Sequence, residues 1–111
     1  KFADLEPVGD AAKLIMFYAD WCPHCKDAKP EVEKVKNELE NSNNKVNGKT
    51  VEVELVNGDE EEEKCRQHNV QGFPTIILLT KGKRKDFNGS RDADSIKEFL
   101  LKKSINYFLI H

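Results

Sequence analysis

The fold is indicated most clearly by residues 14–25, which have the sequence LIMFYADWCPHC. The first five, Leu14 to Tyr18, form a short unbroken apolar run, which is typical of a strand buried on both faces of a sheet. The segment ends with Cys22 and Cys25, which enclose a Pro-His pair. A Cys-x-x-Cys motif that directly follows a buried strand and opens a helical pattern predicts a redox-active dithiol.

The residues after the cysteines continue as a helix and then as strands. Val32, Val35 and Leu39 are spaced by three and four, which predicts a helix to about Leu39. Pro30 lies inside this pattern and is expected to kink the helix. Three more strands are predicted over residues 50–56, 75–80 and about 84–87, and a tight turn at 81–83 joins the last two.

Two further helices are predicted from their N-terminal signals. Asp59 can cap a helix that runs to about His68, and the acidic residues 60–63 suit the positive end of its dipole. Ser95 and Glu98 match a capping box that opens the last helix. The resulting order of strand, helix, strand, helix, strand, strand, helix predicts an α/β fold with a central mixed sheet flanked by helices. Parallel strands come first and an antiparallel hairpin follows.

Length and composition bound the organisation of the chain. Its 111 residues suit a single domain that spans residues 1–111. The Asn-rich stretch 41–49 is predicted to be an inserted, exposed and flexible loop, and no structure is assigned to the tail 104–111. The first residue is Lys1 rather than Met, which is consistent with a processed or trimmed piece of a longer protein.

Charge and hydropathy exclude two classes of function. The chain has 18 Lys and Arg against 20 Asp and Glu, which gives a formal charge of −2. A generic nucleic-acid binder would have a clear excess of basic residues. No apolar run approaches the roughly 20 residues that cross a bilayer. We therefore expect no nucleic-acid partner and no membrane span.

The cysteine count points to reactive thiols or to a metal site. Three cysteines are too few, and odd in number, for a small domain held together by disulfides. A structural zinc site needs four ligands. The candidates to complete one around the Cys-x-x-Cys motif are Cys65, His24, His68 and His111. We predict no metal, because His24 is poorly placed between the two cysteines, and keep zinc as an alternative. Cys65 is predicted to be a small buried apolar residue, and His68 and His111 to lie at the surface.

Residues 17–26 (FYADWCPHCK), 70–75 (VQGFPT) and 87–91 (FNGSR) carry a resemblance to a known family. The first resembles the active site of the thioredoxin superfamily, and most closely that of a single protein disulfide isomerase-type domain. Pro30 stands eight residues after Cys22, where the family has a helix-kinking proline. The second stretch resembles the segment around the family's cis-proline, which is Pro74 in this chain. The third stretch resembles an isomerase pattern in which an aromatic residue, a Gly and an Arg are each separated by one residue of any type. The resemblance covers nearly the whole chain and implies the thioredoxin fold.

The resemblance also implies a function. It implies a thiol–disulfide oxidoreductase of the disulfide isomerase type, which exchanges disulfides with protein substrates through a Cys22–Cys25 dithiol or disulfide. Protein thiols and disulfides would be the substrates and a reductase or oxidase the redox partner, with no cofactor and a monomeric state. The isomerase-like sequence points to the endoplasmic reticulum lumen, while the absence of a signal or retention sequence leaves the cytoplasm open. Two alternatives also stay open: a thioredoxin-fold binding or scaffold module, and a redox sensor with little turnover.

The two cysteines have different predicted roles. Cys22 is the predicted nucleophile, because a helix N-terminus offers unpaired N–H groups and a dipole that favour a thiolate. It is also predicted to be the more exposed of the two thiols. His24 adds a favourable interaction with that thiolate, or else is a solvated loop residue. Pro23 stiffens the first turn without the loss of a hydrogen bond. Cys25, one turn later, is the predicted resolving thiol.

Substrate contact is predicted beside the dithiol, at the segment around Pro74 and at Trp21. A cis bond before Pro74 would expose the N–H and C=O of Phe73, with which an extended substrate segment could pair. Trp21 would form an apolar shelf beside the thiols. In the isomerases the residue that matches Arg91 can swing toward the second cysteine and lower its pKa, whereas the alternative is a surface charge.

Two positions depart from the family pattern. The family usually has a buried acid six residues before the first cysteine and a lysine on the neighbouring strand, and this chain has Met16 and Leu55 there. Apolar groups cannot accept a proton from the resolving cysteine. We therefore expect a dry environment beneath Cys25 that raises its pKa.

Overall fold

The computed structural model of the chain describes residues 11–46, 49–80 and 83–110, with the backbone alone at residue 49 and over 102–110. Within these ranges lie five strands and three helices. The strands are β1 (Ala12–Tyr18), β2 (Lys45–Val46), β3 (Lys49–Asn57), β4 (Thr75–Thr80) and β5 (Lys83–Asp86), and the helices are α1 (Pro23–Asn41), α2 (Glu62–Gln67) and α3 (Ala93–Ile110). No helix in the described part of the chain is long and apolar enough to cross a membrane.

The strands form one mixed sheet in the order β2-β3-β1-β4-β5. β1 is parallel to β3 and antiparallel to β4, and the β4–β5 and β2–β3 pairs are also antiparallel. The predicted α/β class is therefore confirmed, with the parallel pair first and the antiparallel hairpin after it.

The apolar run of β1 is continuous because both faces of the strand are covered. Leu14 and Met16 face a cluster that includes buried side chains of α1 and α3. Ile15 and Phe17 face a second cluster on the other side of the sheet. Successive side chains of a strand alternate between faces, so residues 14–17, which are covered on both faces, are all apolar.

Helix α1 places the cysteine pair at the edge of the core. It begins at Pro23 in the first turn, and Pro30 lies inside the helix, which continues to Asn41. Its buried residues are Cys25, Ala28, Val32, Val35 and Leu39. This spacing of three and four is the amphipathic stripe that the sequence predicts.

The predicted loop at 41–49 is wrong in part. Helix α1 runs two residues further than expected, and Lys45–Val46 forms strand β2, which pairs with residues 49 and 50 of β3. Asn43 and Asn44 both have φ of 58°, a left-handed conformation that asparagine tolerates, and they turn the chain back from the helix. Val46 packs partly buried against the main cluster. Residues 47 and 48 lie outside the described residues.

Both predicted helix starts after α1 are displaced. The residue before α2 is Glu61, which makes no side-chain cap, so Asp59 is not the cap of this helix. Helix α3 begins at Ala93 because the Asp92 carboxylate accepts hydrogen bonds from the Ser95 N–H, at 2.8 Å, and from its hydroxyl, at 3.0 Å. Ser95 is thus a donor inside the first turn, three residues after the true cap. The tail from residue 104 continues this helix in its backbone as far as Ile110.

His68 is buried, against the prediction that it lies at the surface. Its ring lies 5.5 Å from the ring of Phe17, between centroids, at the end of α2. Burial is the largest cause that lowers its pKa, and the positive charge of Arg84 adds to it. Cys65 is half-buried and packs against the same cluster as predicted. His111 lies outside the described residues.

Candidate active site

Cys22 is the residue that caps α1. Its backbone is extended, and its Sγ accepts a hydrogen bond from the Cys25 N–H at 3.2 Å. A helix begins with N–H groups that have no partner in the helix, and here the sulfur takes one of them. Pro23 fits the next position, because it has no N–H to leave unpaired.

Exposure does not distinguish the two thiols as predicted. Cys22 is 3% exposed and Cys25 is 1% exposed, so both are buried in the resting structure. The neighbouring Trp21, Pro23 and His24 are exposed around them. The thiols therefore lie just beneath a rim of exposed side chains.

The loop before β4 supplies a second partner for Cys22. The Cys22 thiol donates to the Phe73 carbonyl oxygen at 3.5 Å between sulfur and oxygen. The Phe73–Pro74 peptide bond is cis. The sulfur thus lies between a backbone donor of α1 and a backbone acceptor of the loop. Loss of the thiol proton would remove the contact with Phe73 and leave the N–H of Cys25 directed at the negative sulfur.

Phe73 is held by packing on both sides. Its ring and the ring of Trp21 meet edge to face, with 6.0 Å between centroids. The ring also covers Gly58 so closely that a Cβ added there would lie 2.2 Å from its Cζ atom and 3.2 Å from the Cys65 sulfur. The absence of a side chain at Gly58 therefore leaves room for the Phe73 ring next to the end of β3.

We expect Gly58→Ala to lower the free energy of unfolding by about 1–3 kcal/mol, since a methyl group at this position forces the Phe73 ring to move. Gly72→Ala is the matched control, because a Cβ at Gly72 meets no atom within 4 Å. Urea denaturation of the two variants measures the difference. Equal stability of the two variants would show that the Phe73 ring moves without cost.

Trp21 is 65% exposed, yet its position is fixed by a hydrogen bond. Its Nε1 donates to the Asp59 carboxylate at 3.0 Å. The Asp59 N–H in turn donates to the Asn57 side-chain oxygen at 3.0 Å, and the Asn57 amide donates to the Asp20 carboxylate at 3.3 Å. Sequence reasoning missed this network. One signal for it was available. Strands β1 and β3 are parallel neighbours, so the residues that follow them lie at the same edge of the sheet and can contact each other.

Cys25 lies deeper than the rim and in apolar surroundings. Burial raises its pKa to about 11, with a further increase from the hydrogen bond and charge of Cys22. Met16 and Leu55, which are register partners on β1 and β3, belong to the apolar cluster that contains Cys25. The direction of the pKa agrees with the dry environment expected from these two residues.

His24 and Arg91 both line a cavity of about 390 Å³. The cavity is lined by His24, Asp27, Ala28, Gly89, Ser90, Arg91 and Asp92. The positive charge of Arg91 lowers the pKa of Cys25, and this is the smallest of the effects on that thiol. Arg91 also lines a polar groove that contains Pro74. The predicted influence of His24 on Cys22 stays a prediction.

Two of the residues proposed as alternative zinc ligands lie away from the dithiol. His68 and Cys65 pack with the cluster on the far side of the sheet from Cys22 and Cys25. In the described ranges, no three His, Cys, Asp or Glu side chains are grouped closely enough to hold a metal ion.

Comparison with known proteins places this site in a family. The thioredoxin family matches residues 5–102. A Dictyostelium discoideum relative with protein disulfide-isomerase in its name is 40% identical over 97 residues, which are 81% of this chain and 22% of that protein. The protein disulfide-isomerase of Ricinus communis is 37% identical over 95 residues, 82% of this chain and 18% of that protein. The chain thus spans about a fifth of the length of these two relatives.

A solved structure gives the same result. The first thioredoxin domain of mouse protein disulfide-isomerase A4 superposes with a TM-score of 0.69 at 31% identity, and the match covers 84% of this chain and 63% of that one. The family and the names of these relatives support thiol–disulfide oxidoreductase chemistry in general. The chain belongs to the thioredoxin family, and several of its relatives have protein disulfide-isomerase in their names.

Proposed function

We propose that this domain exchanges disulfides with protein substrates in the manner of a disulfide isomerase domain, with Cys22 as nucleophile and Cys25 as resolving thiol. The observation that carries the proposal is the position of the Cys22 sulfur. It lies between the Cys25 N–H and the Phe73 carbonyl, at a helix N-terminus and beneath the exposed Trp21. The Cys25 N–H, at the start of the helix, is directed at this sulfur and would stabilise the negative charge that attack on a disulfide requires.

The first step forms a mixed disulfide. The Cys22 thiolate attacks one sulfur of a substrate disulfide, the substrate S–S bond breaks, and the other substrate sulfur leaves as a thiolate that takes up a proton. In the second step the Cys25 thiolate attacks the Cys22 sulfur. The Cys22–Cys25 bond forms, the substrate leaves as a thiolate, and two electrons have passed from the domain to the substrate. A reductase or an oxidase would reset the couple.

The second step is slowed by the burial of Cys25. Its pKa of about 11 leaves little thiolate at neutral pH. In the mixed disulfide Cys22 no longer carries a thiol, so its share of this increase is lost and the effect of burial remains. We therefore expect the rate of substrate release to rise with pH, by about tenfold per unit while the pH stays below the pKa of Cys25. Stopped-flow tryptophan fluorescence of a preformed mixed disulfide can measure this slope.

Substrate contact is proposed at the loop and the rim. An extended segment would pair with the backbone of Phe73 beside Pro74, as a strand added to an open edge does. Trp21 offers an exposed apolar surface that Asp59 holds in place. These contacts do not depend on the identity of side chains in the substrate, which suits a domain that acts on many protein disulfides.

Two assays separate this function from its alternatives. We expect the chain to reduce insulin in the presence of a thiol reductant and to refold a protein with scrambled disulfides. Cys65→Ser should retain both activities, because Cys65 lies across the sheet from the dithiol, and Cys22→Ser should lose both. A wild-type chain that forms a Cys22–Cys25 disulfide but is inactive in both assays would contradict the proposal and favour a sensor or a binding module.

A further inference from the structure

A side chain outside the proposed site connects the helix that carries Cys25 with the helix that follows Arg91. The Glu31 carboxylate, on α1, accepts a hydrogen bond from the Ala93 N–H, at the start of α3, with 3.0 Å between Oε1 and N. Its second oxygen accepts from the Lys34 ammonium at 2.9 Å. Both hydrogen bonds lower the pKa of Glu31, the one from Lys34 more than the one from Ala93. The Glu31 carboxyl group is therefore ionised at neutral pH.

This contact differs from the capping of α3 by its own neighbour. Asp92 bonds Ser95 and so determines where the helix begins along the sequence. Local capping does not determine where that first turn lies relative to another helix. Glu31 takes one of the N–H groups that a helix start leaves unpaired, and it does so from α1. It thereby holds the start of α3 against the first half of α1.

Arg91 lies two residues before Ala93, near the end of the loop of residues 87–92 that connects β5 to α3. This Arg91 loop leads directly into the turn that Glu31 contacts. This loop faces the first turn of α1, since Arg91 and Ser90 share the 390 Å³ cavity with His24 and Asp27. Arg91 is exposed, and its side chain moves with its backbone. A change in the position of α3 would therefore change the distance between the Arg91 charge and the dithiol.

We propose that Glu31 is a positioning residue, which holds the Arg91 loop against α1 and thereby keeps the Arg91 charge close to Cys25. The consequence for turnover rests on the function proposed above. The consequence for Cys25 itself does not, because it concerns a charge and a thiol within the domain.

The two possible actions of Glu31 on Cys25 have opposite signs. As a negative charge, Glu31 disfavours the Cys25 thiolate, so removal of the charge alone would lower the pKa of Cys25. As a positioning group, it brings a positive charge nearer, so removal of the hydrogen-bond acceptor would raise the pKa of Cys25. Glu31→Gln removes the charge and keeps an acceptor oxygen, whereas Glu31→Ala removes both.

A thiol titration separates these two actions. The variants are made in a Cys22→Ser, Cys65→Ser chain, in which Cys25 is the only thiol and titrates alone. The pKa of Cys25 is followed by the ¹³Cβ chemical shift of labelled cysteine. We expect it to rise in Glu31→Ala and to stay equal or fall in Glu31→Gln. A rise in both variants, or no rise in Glu31→Ala, would overturn the proposal.

Three further variants provide controls. Glu38→Ala removes another contact between the same helices, the 2.8 Å ion pair with Lys97 two turns further along α1, and should leave the Cys25 titration unchanged. Ala93→Pro removes the N–H that Glu31 uses while Glu31 remains, at a helix position that proline favours, and should reproduce the effect of Glu31→Ala. Circular dichroism verifies that each variant is folded. If Glu31→Ala does not fold, Ala93→Pro decides the question by the same titration.

The link to Arg91 is tested by combination. In an Arg91→Gln background, Glu31→Ala should no longer raise the pKa of Cys25, because the charge that Glu31 positions is absent. With the active-site cysteines restored, Glu31→Ala should release substrate from a mixed disulfide about threefold more slowly than wild type, and Glu31→Gln should not. An unchanged release rate beside a raised pKa of Cys25 would contradict the proposed function and not the positioning role. If Glu31→Ala raises the pKa of Cys25 by the same amount in the Arg91→Gln background, the positioning role is overturned.

Discussion

A Cys25→Ser variant is expected to accumulate as a covalent mixed disulfide with protein substrates, whereas a Cys22→Ser variant forms none. In the first variant Cys22 retains its N–H partner at the start of α1 and can attack, but no second thiol follows to release the substrate. In the second the remaining thiol of the pair is the buried Cys25, and burial, the largest cause of its raised pKa, keeps it protonated at neutral pH. Turnover should be lost in both variants.

The adducts can be measured directly. The reduced variants are mixed with a disulfide-containing protein, quenched with acid and separated on non-reducing gels, and mass spectrometry then identifies the cysteine in the adduct. Cys65→Ser should behave as the wild type. Adducts that form through Cys25 in the Cys22→Ser chain would mean that the two roles are exchanged.

The second large effect is expected at Met16, which is fully buried in the cluster that contains Cys25. Met16→Glu puts a carboxyl group where the chain has no proton acceptor. A carboxylate there can take the proton of Cys25 as the thiol attacks the mixed disulfide. We expect substrate release at neutral pH to become roughly ten- to a hundredfold faster. Met16→Gln has nearly the same shape but cannot accept a proton, and it should show no acceleration.

The same substitution should make stability depend on pH. Burial raises the pKa of the new carboxyl in the folded state above its unfolded value, so the destabilisation grows as the pH rises above the unfolded pKa. Relative to wild type, Met16→Glu should therefore lose about 3 kcal/mol more of its unfolding free energy at pH 7 than at pH 4. Met16→Gln should show no such difference. Urea denaturation at the two pH values provides the measurement, and a pH-independent loss in Met16→Glu would place residue 16 outside the buried cluster.

The parts of the fold that depend on local pattern could be predicted from the sequence. The apolar run of β1 and the stripe of α1 are set by burial, which repeats with the period of each element. The position of Cys22 at the start of α1 follows from the proline beside it. These features required no knowledge of distant contacts.

The features that were mispredicted arise from contacts between distant residues. Asp59 has the sequence appearance of a helix cap, but the indole of Trp21, 38 positions earlier, competes for the same carboxylate. His68 is a polar residue at the end of a short helix, and it is buried where its ring packs against Phe17 of β1. The role of Glu31 was not visible for the same reason, since its partner is 62 residues away. Capping and surface rules describe neighbours in sequence and do not include such partners.

The two outer strands of the sheet bear on how such a domain could handle unfolded polypeptides without aggregating with them. In the described part of the chain β5, whose Lys83, Arg84, Lys85 and Asp86 are all exposed, forms one edge. At the other edge β2 has only two residues and covers only the start of β3. Short edges and edges rich in charge are poor templates for the addition of a foreign strand. A partly folded client, which carries unpaired strands of its own, would therefore gain little by pairing with the charged edge at β5. The backbone pairing proposed at Phe73 is short, and a contact of that size could be broken again once the disulfide has been exchanged.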